Sequence, residues 1–329
     1  MWQKFKKNHR GYYSLIIFLA IFILTIFAEI FANDKPLLIK YNDDYYFPII
    51  KSYPETTFGG KLKSKADYRD PFVKKLIEKN GWIIMPLIPF SYDTINLAMK
   101  DPAPSKPDSR NWLGTDDQGR DVLARAIYGL RISLIFGIIL SFFSAIIGIF
   151  LGAIQGYFGG LLDLFLQRFI EIWSSMPVLF LLIILSSIIE PGFFSLLFIM
   201  LLFSWIAMIG FVRAEFLRLR NFDFVRSAKA LGAKNYQIIF RHILPNAMPI
   251  ILANLPFLIA GSITTLTALD FLGLGMPVGS ASLGELLAQG KNNISAYWIG
   301  MVGFFVITII LTLLVFIGEG LRNSFDVRK

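Results

Sequence analysis

Asp116, Asp117 and Asp121 place three carboxylates within six residues, a grouping that could hold a hard divalent cation. The spacing lacks the alternating Asp/Asn pattern and the closing bidentate glutamate of a calcium loop, and Arg120 and Arg125 stand beside the acids. A capped turn with local Arg–Asp pairing is the expectation. Other chemistry is thin. With no cysteine and two histidines, His9 and His242, the chain offers no thiolate nucleophile, no disulfide and no histidine-rich metal cluster. A phosphate loop, a His-Glu-x-x-His zinc helix and a Gly-x-Ser-x-Gly elbow are all missing, so neither a catalytic site nor a cofactor of its own is expected.

The elements that would position such residues belong in a bilayer. Of the 329 residues 55% are hydrophobic, 32 are phenylalanine and only 17% are charged, more apolar surface than a water-soluble globule could cover. A net charge of +9 would in a soluble protein suggest nucleic acid. No nucleic-acid motif is present, and the basic residues instead sort by membrane side. Lys4, Lys6, Lys7 and Arg10 precede an apolar run, Tyr12–Ala32, that exceeds a signal-peptide core and lacks a cleavage pattern, so it reads as a retained first span. Ile132–Ile154, Leu161–Ile189, Phe193–Val212, Ala247–Leu269 and Tyr297–Gly318 reach or approach the roughly 20 residues that cross a membrane as helix. The third span must run back through Arg168 and Glu171, which stand at i,i+3 and can partly neutralise one another.

The expected fold is an all-α polytopic membrane protein with six transmembrane helices and a long external segment between the first and second. Residues 1–32 form the tail and first helix, 33–131 the external segment, and 132–329 a five-helix core with a cytoplasmic loop at 213–245. An even number of spans puts both termini on one side. The basic amino tail, the Arg213–Arg241 connection and the tail with Arg322, Arg328 and Lys329 make that side cytoplasmic. The opposite short loops, Glu190–Gly192 and Asp270–Ala296, carry Lys291 as their basic residue. Pro102–Pro107 reads as a linker, and Asp121–Arg131 as an amphipathic helix entering the second span.

Phe224–Pro249 is the most informative stretch. Its periodicity gives two short helices: Val225–Leu231, stopped by Gly232 in the left-handed position, and Asn235–Leu244, capped by Asn235 and ended by Pro245. Tyr236, Ile239, Phe240 and Ile243 share a face of the second. On pattern alone an interfacial amphipathic connector explains it equally well. However, Ala228, Gly232, Leu244 and Pro245 resemble the EAA loop of ABC-importer permeases, in which glycine follows the last alanine by four positions and Leu-Pro closes the motif. Arg226 and Ser227 depart from its Glu-Ala start. Ile239 and His242 complete the set that the resemblance assigns to the ATPase coupling loop, His242 within a Phe-Arg-His-Ile-Leu-Pro-Asn run similar to the oligopeptide and dipeptide branch.

Trp112-Leu-Gly-Thr-Asp-Asp-Gln-Gly-Arg-Asp, Asp163, Met176-Pro177 and Leu272-Gly-Leu-Gly are similar to the same branch. The long outer segment, with Tyr53–Gly60 and Ala66–Pro71, resembles the Yej-type subfamily, which imports peptides and the peptide-nucleotide antibiotic microcin C. The resemblance implies a permease subunit in the inner membrane, surrounded by lipid. Its implied partners are a second homologous permease, ABC ATPase domains that use the ATP, a periplasmic binding protein and a peptide substrate, with no nucleic acid. The rival reading is a stand-alone secondary transporter or channel, which calls for mid-membrane carboxylates that the span centres lack.

Overall fold

A computed structural model describes residues 2–325 except Ala98, Lys100, Pro191 and Val278, and except the side chains of Ser186 and Ser187. Arg328 and Lys329, counted in the basic carboxyl-terminal tail, lie outside the described residues. Five helices are long and apolar enough to cross a membrane: His9–Ile26, Val122–Phe158, Phe193–Leu219, Asn235–Phe271 and Ile294–Phe325. A sixth crossing arises if Gly160–Ser174 and Val178–Leu185 are taken together, although they meet at 64°. The third span, which had to extend back through Arg168 and Glu171, is thus broken near its middle. Pro177 carries no N–H and sits in extended backbone between the two halves. The amphipathic entry at Asp121–Arg131 is no separate helix but the first turns of the 37-residue second span, where the Asp121 carboxylate caps the Ala124 amide at 2.7 Å.

The described chain divides into two compact units. One holds residues 1–21, 133–277 and 307–329. Its packing turns on a glycine stripe that the sequence reading passed over. Gly148, Gly152 and Gly156 recur every four residues on the second span and lie against Met208, Val212 and Phe216 of the fourth. A Cβ on Gly148 would come within 2.6 Å of Met208 Cβ, and one on Gly152 within 2.8 Å of Val212 Cβ. Hydrocarbon gives two helices no hydrophobic reason to associate, so close backbone approach through small residues supplies the dispersion contact instead. Nearby, Asp163 accepts two hydrogen bonds from the Arg213 guanidinium at 2.6 and 2.7 Å, while Arg168 and Glu171 pair on the exposed side at 2.6 Å.

The other unit holds residues 22–132 and 278–306. Here the otherwise helical chain adds a small antiparallel sheet, unforeseen from sequence: β1 (Leu38–Tyr41) is central, flanked by β2 (Asp44–Tyr46) and β3 (Gly81–Ile84). Ile39 faces both Tyr46 and Ile83 in register. Phe58 is fully buried and meets Tyr41, Tyr46, Tyr53 and Tyr68 edge-on, at ring separations of 5.3 to 6.3 Å. Val73 and Ile77 of helix Pro71–Asn80 close this aromatic core, and the helix is started by Asp70 accepting from the Phe72 amide. Within the acid cluster Asp116 pairs with arginine as expected: its Oδ2 lies 2.7 Å from Arg120 Nε and 3.4 Å from Arg125 Nε, while Asp121 accepts from Asn111 and Ala124. Glu285 is an unforeseen fourth member, receiving both guanidinium groups at 3.0 and 2.8 Å.

Candidate functional site

The connection from the fourth to the fifth span folds as a helix at Asp223–Ala230, a tight stop, and a second helical stretch beginning at Asn235. The stop is a Schellman motif. Gly232 has φ +80°, its amide donates to the Lys229 carbonyl, and the Ala233 amide reaches back to the Ala228 carbonyl, both at 3.0 Å. Ala228 is buried with Val225 in the apolar cluster formed by Met208, Val212, Phe216 and Leu219. Arg226 and Ser227 occupy the opposite, exposed side. Leu231 stands 88% exposed.

Two details of the second stretch differ from expectation. Lys234, not Asn235, is the cap residue: its amide donates to Gln237 Oε1, which leaves the Asn235 side chain to accept from Tyr157 Oη at 2.8 Å. Pro245 does not end the helix. Residues Ile238–Ile243 form a π-helical turn that runs into Leu244–Phe271, and the widened turn accommodates the missing N–H of Pro245. The π turn also changes the buried face. Its five-residue step sets Ile238 and Ile243 inward, while Tyr236 and Phe240 face out and Ile239 and Leu244 pack at the margin. His242 is half-buried and gives its carbonyl to Asn246, and Pro245 is exposed.

The eight residues that the resemblance assigns to the coupling loop lie along the two helical stretches of this one connecting element. Three residues that the sequence reading missed hold that element in place. Tyr157, next to the last residue of the second span, donates to Asn235 and receives Lys229 over its ring at 5.3 Å. Arg220 donates to the carbonyls of Gly156 and Tyr157 at 3.3 and 3.4 Å, a cation at the carboxyl end of that helix. Arg213 is tied to Asp163. The glycine stripe, which ends at Gly156, was the legible clue that this helix end is closely packed.

Among the described residues no hydrogen bond pairs a nucleophile with a base at this site. What it can do is mechanical: a rigid exposed knob joined through buried side chains to the second, fourth and fifth spans. Residues 145–329 match the family described as the binding-protein-dependent transport system inner membrane component, and residues 1–51 the N-terminal transmembrane domain of oligopeptide transport permease C. The chain is 55% identical to the Escherichia coli inner membrane ABC transporter permease protein YejE, over 100% of this chain and 96% of that one. It is 53% identical to a YejE protein of Agrobacterium fabrum over 100% and 92%, and 35% identical to the Bacillus subtilis permease OppC over 72% and 77%. An inward-facing structure of the MetNI methionine ABC transporter shares the fold, with a TM-score of 0.52 at 18% identity over 62% of this chain and 97% of that one. The chain belongs to the binding-protein-dependent transport system inner membrane component family, as the non-catalytic, membrane-spanning permease of an ABC importer that works with an ATPase and a second permease subunit.

Proposed function

We propose that this subunit passes peptides and peptide-like compounds across the cytoplasmic membrane, and that Val225–Leu244 is where the ATPase drives it. The names of relatives support the cargo: the Bacillus subtilis protein is named for oligopeptide transport and the Agrobacterium fabrum protein for peptidoglycan transport. A peptide portion is common to these and to microcin C, the cargo suggested by the outer-segment motifs. The single observation that carries the coupling role is the Schellman-locked knob, exposed on one side and buried on Val225 and Ala228 on the other.

In this reading ATP stays on the ATPase domains and the permease holds no cofactor. Closure of those domains pushes on Arg226, Ser227 and Leu231. The rigid turn at Gly232 passes the displacement to Ile238, Ile243 and the fifth span, and Tyr157 passes it to the second. Two access states then exchange around the pathway. Pro249 and Pro256 within the fifth span provide its bending points. A periplasmic binding protein delivers the peptide to the outer face, where residues 33–110 contribute to docking. Both termini and the coupling element lie in the cytoplasm, a placement supported by the basic residues of the tails and of the Arg213–Arg241 connection.

The test is peptide-stimulated ATP hydrolysis and uptake in liposomes that hold the second permease, the ATPase and the binding protein, with and without this chain. Stimulation that needs this chain is the expected result. Uptake by this chain alone, without ATP, would replace the reading with a secondary transporter.

A further inference from the structure

From Arg213 to Arg241 the connection carries seven cations and two carboxylates, Glu215 and Asp223. Three of the cations are held within the unit: Arg213 by Asp163, Arg218 by Glu215, and Arg220 by the carbonyls of Gly156 and Tyr157. Lys229 lies over the Tyr157 ring. Arg226, Lys234 and Arg241 remain on the exposed side. Among the described residues only Arg226 has a carboxylate nearby, Asp223 at 3.9 Å, with the two side chains 72% and 100% exposed. A pair that long and that open to water contributes little. Leu231, Tyr236 and Phe240 are exposed among these cations, so the surface has apolar contacts bordered by positive charge.

We propose that this surface fits an acidic socket on the partner ATPase, with Arg226 seated against a carboxylate of that subunit. The inference rests on the coupling role proposed above and adds the sign of the charge. Position 226 falls where the motif of related permeases has glutamate. A cation that would pair with glutamate would repel Arg226, and a carboxylate is the charge that complements it. The same cations could face anionic lipid headgroups. The fixed position of Leu231 favours a protein surface: a Schellman turn locks one apolar side chain outward, and a fluid headgroup layer has no use for that rigidity.

The experiment places this chain and its second permease in nanodiscs and measures binding of the purified ATPase between about 50 and about 300 mM NaCl, where screening of exposed charges becomes strong. Affinity should fall about tenfold or more across that range. Arg226→Glu should weaken binding about tenfold at low salt and flatten the salt response. A Lys in place of the facing ATPase carboxylate should restore it. Salt-insensitive binding, or Arg226→Glu binding like the wild type, overturns the acidic socket. Charge effects found only in discs containing phosphatidylglycerol assign the cations to lipid and also overturn it. Leu231→Asp separates this from the coupling role: if it abolishes binding while salt and Arg226→Glu change nothing, docking stands and the socket falls. If Leu231→Asp leaves the ATPase bound, the docking role fails and the socket with it.

Discussion

The amide of Ala233 donates to the carbonyl of Ala228 at 3.0 Å, closing a loop over Gly232 that ties the short helix to the stretch after it. This contact explains why alanine and glycine stand four residues apart. Ala228 must be small to lie buried against the fourth span, and it occupies the position whose carbonyl the turn captures. Gly232 must hold φ +80°, which a Cβ makes costly although the space around it is open.

Gly232→Ala should therefore strain the turn by about 1–2 kcal/mol, and Gly232→Asn by less, because asparagine tolerates the left-handed region. The expected outcome is ranked capture of the ATPase by the purified permease pair, with wild type above Asn, Asn above Ala, and Asp below wild type, all at equal membrane yield. Capture by the Ala and Asp variants equal to that of wild type would remove the turn from the docking element.

Much of this element could be read in the sequence because its constraints are local. A left-handed stop needs glycine, and an amphipathic helix needs its period. The π turn was not legible, since nothing in Ile238–Ile243 departs from ordinary helical composition, and the helical period therefore grouped Tyr236 and Phe240 on one face with Ile239 and Ile243. Contacts between distant residues were equally silent: Tyr157 with Asn235 across 78 positions, and Arg125 with Glu285 across 160. Residues 33–131 read as an aqueous segment from their polarity. Its sheet was missed because three strands of three or four residues give too few alternations to register.

Gly152 tests the packing stripe. Adding a methyl group there drives it against Val212 Cβ at 2.8 Å and the Ile209 carbonyl at 3.0 Å, neither of which can yield without moving the fourth span. Gly152→Ala should destabilise by about 1–3 kcal/mol, and Gly152→Leu by enough to cut the yield of folded protein. Gly210, with open space around its Cβ, is the control: Gly210→Ala should be neutral or stabilising. Thermal unfolding in detergent, followed by tryptophan fluorescence, reads the difference.

Tyr68 tests the aromatic core around Phe58 by pH. Its ring is buried and its hydroxyl has no hydrogen-bond partner among the described residues; burial pushes the phenol up to about 12 from an ordinary value of 10. The folded state thus keeps the proton longer than the unfolded chain does. The stability tied to the neutral phenol is complete below pH 10 and is lost as pH rises from 10 through about 12, an amount of roughly 2–3 kcal/mol. Tyr46 is also raised, chiefly by desolvation, so the informative quantity is the difference between wild type and Tyr68→Phe. At neutral pH the variant should match or exceed wild type, because it removes an unpartnered buried hydroxyl. Denaturant midpoints at pH 9 and pH 11 should fall less for Tyr68→Phe. A parallel fall in both would show that Tyr68 titrates as if exposed.

Asp163 and Arg213 test how the coupling end of the membrane helices is held. The two bonds at 2.6 and 2.7 Å use the planar fork of arginine, and the side chains are only 12% and 32% exposed. A carboxylate left without its cation there keeps most of its desolvation cost and loses both hydrogen bonds, so Arg213→Ala should cost about 2 kcal/mol, less than a fully buried pair because water still reaches the guanidinium. Arg213→Lys should recover only part of this, since an ammonium cannot meet both oxygens at once. Asp163→Ala should cost less than Arg213→Ala, because the more exposed arginine can turn toward water. The double Ala variant should be less destabilised than the sum of the two single ones, which a thermal-unfolding double-mutant cycle measures directly. Additive losses would mean that each side chain contributes through its own packing, and that the pair does not anchor the fourth span beside the coupling element.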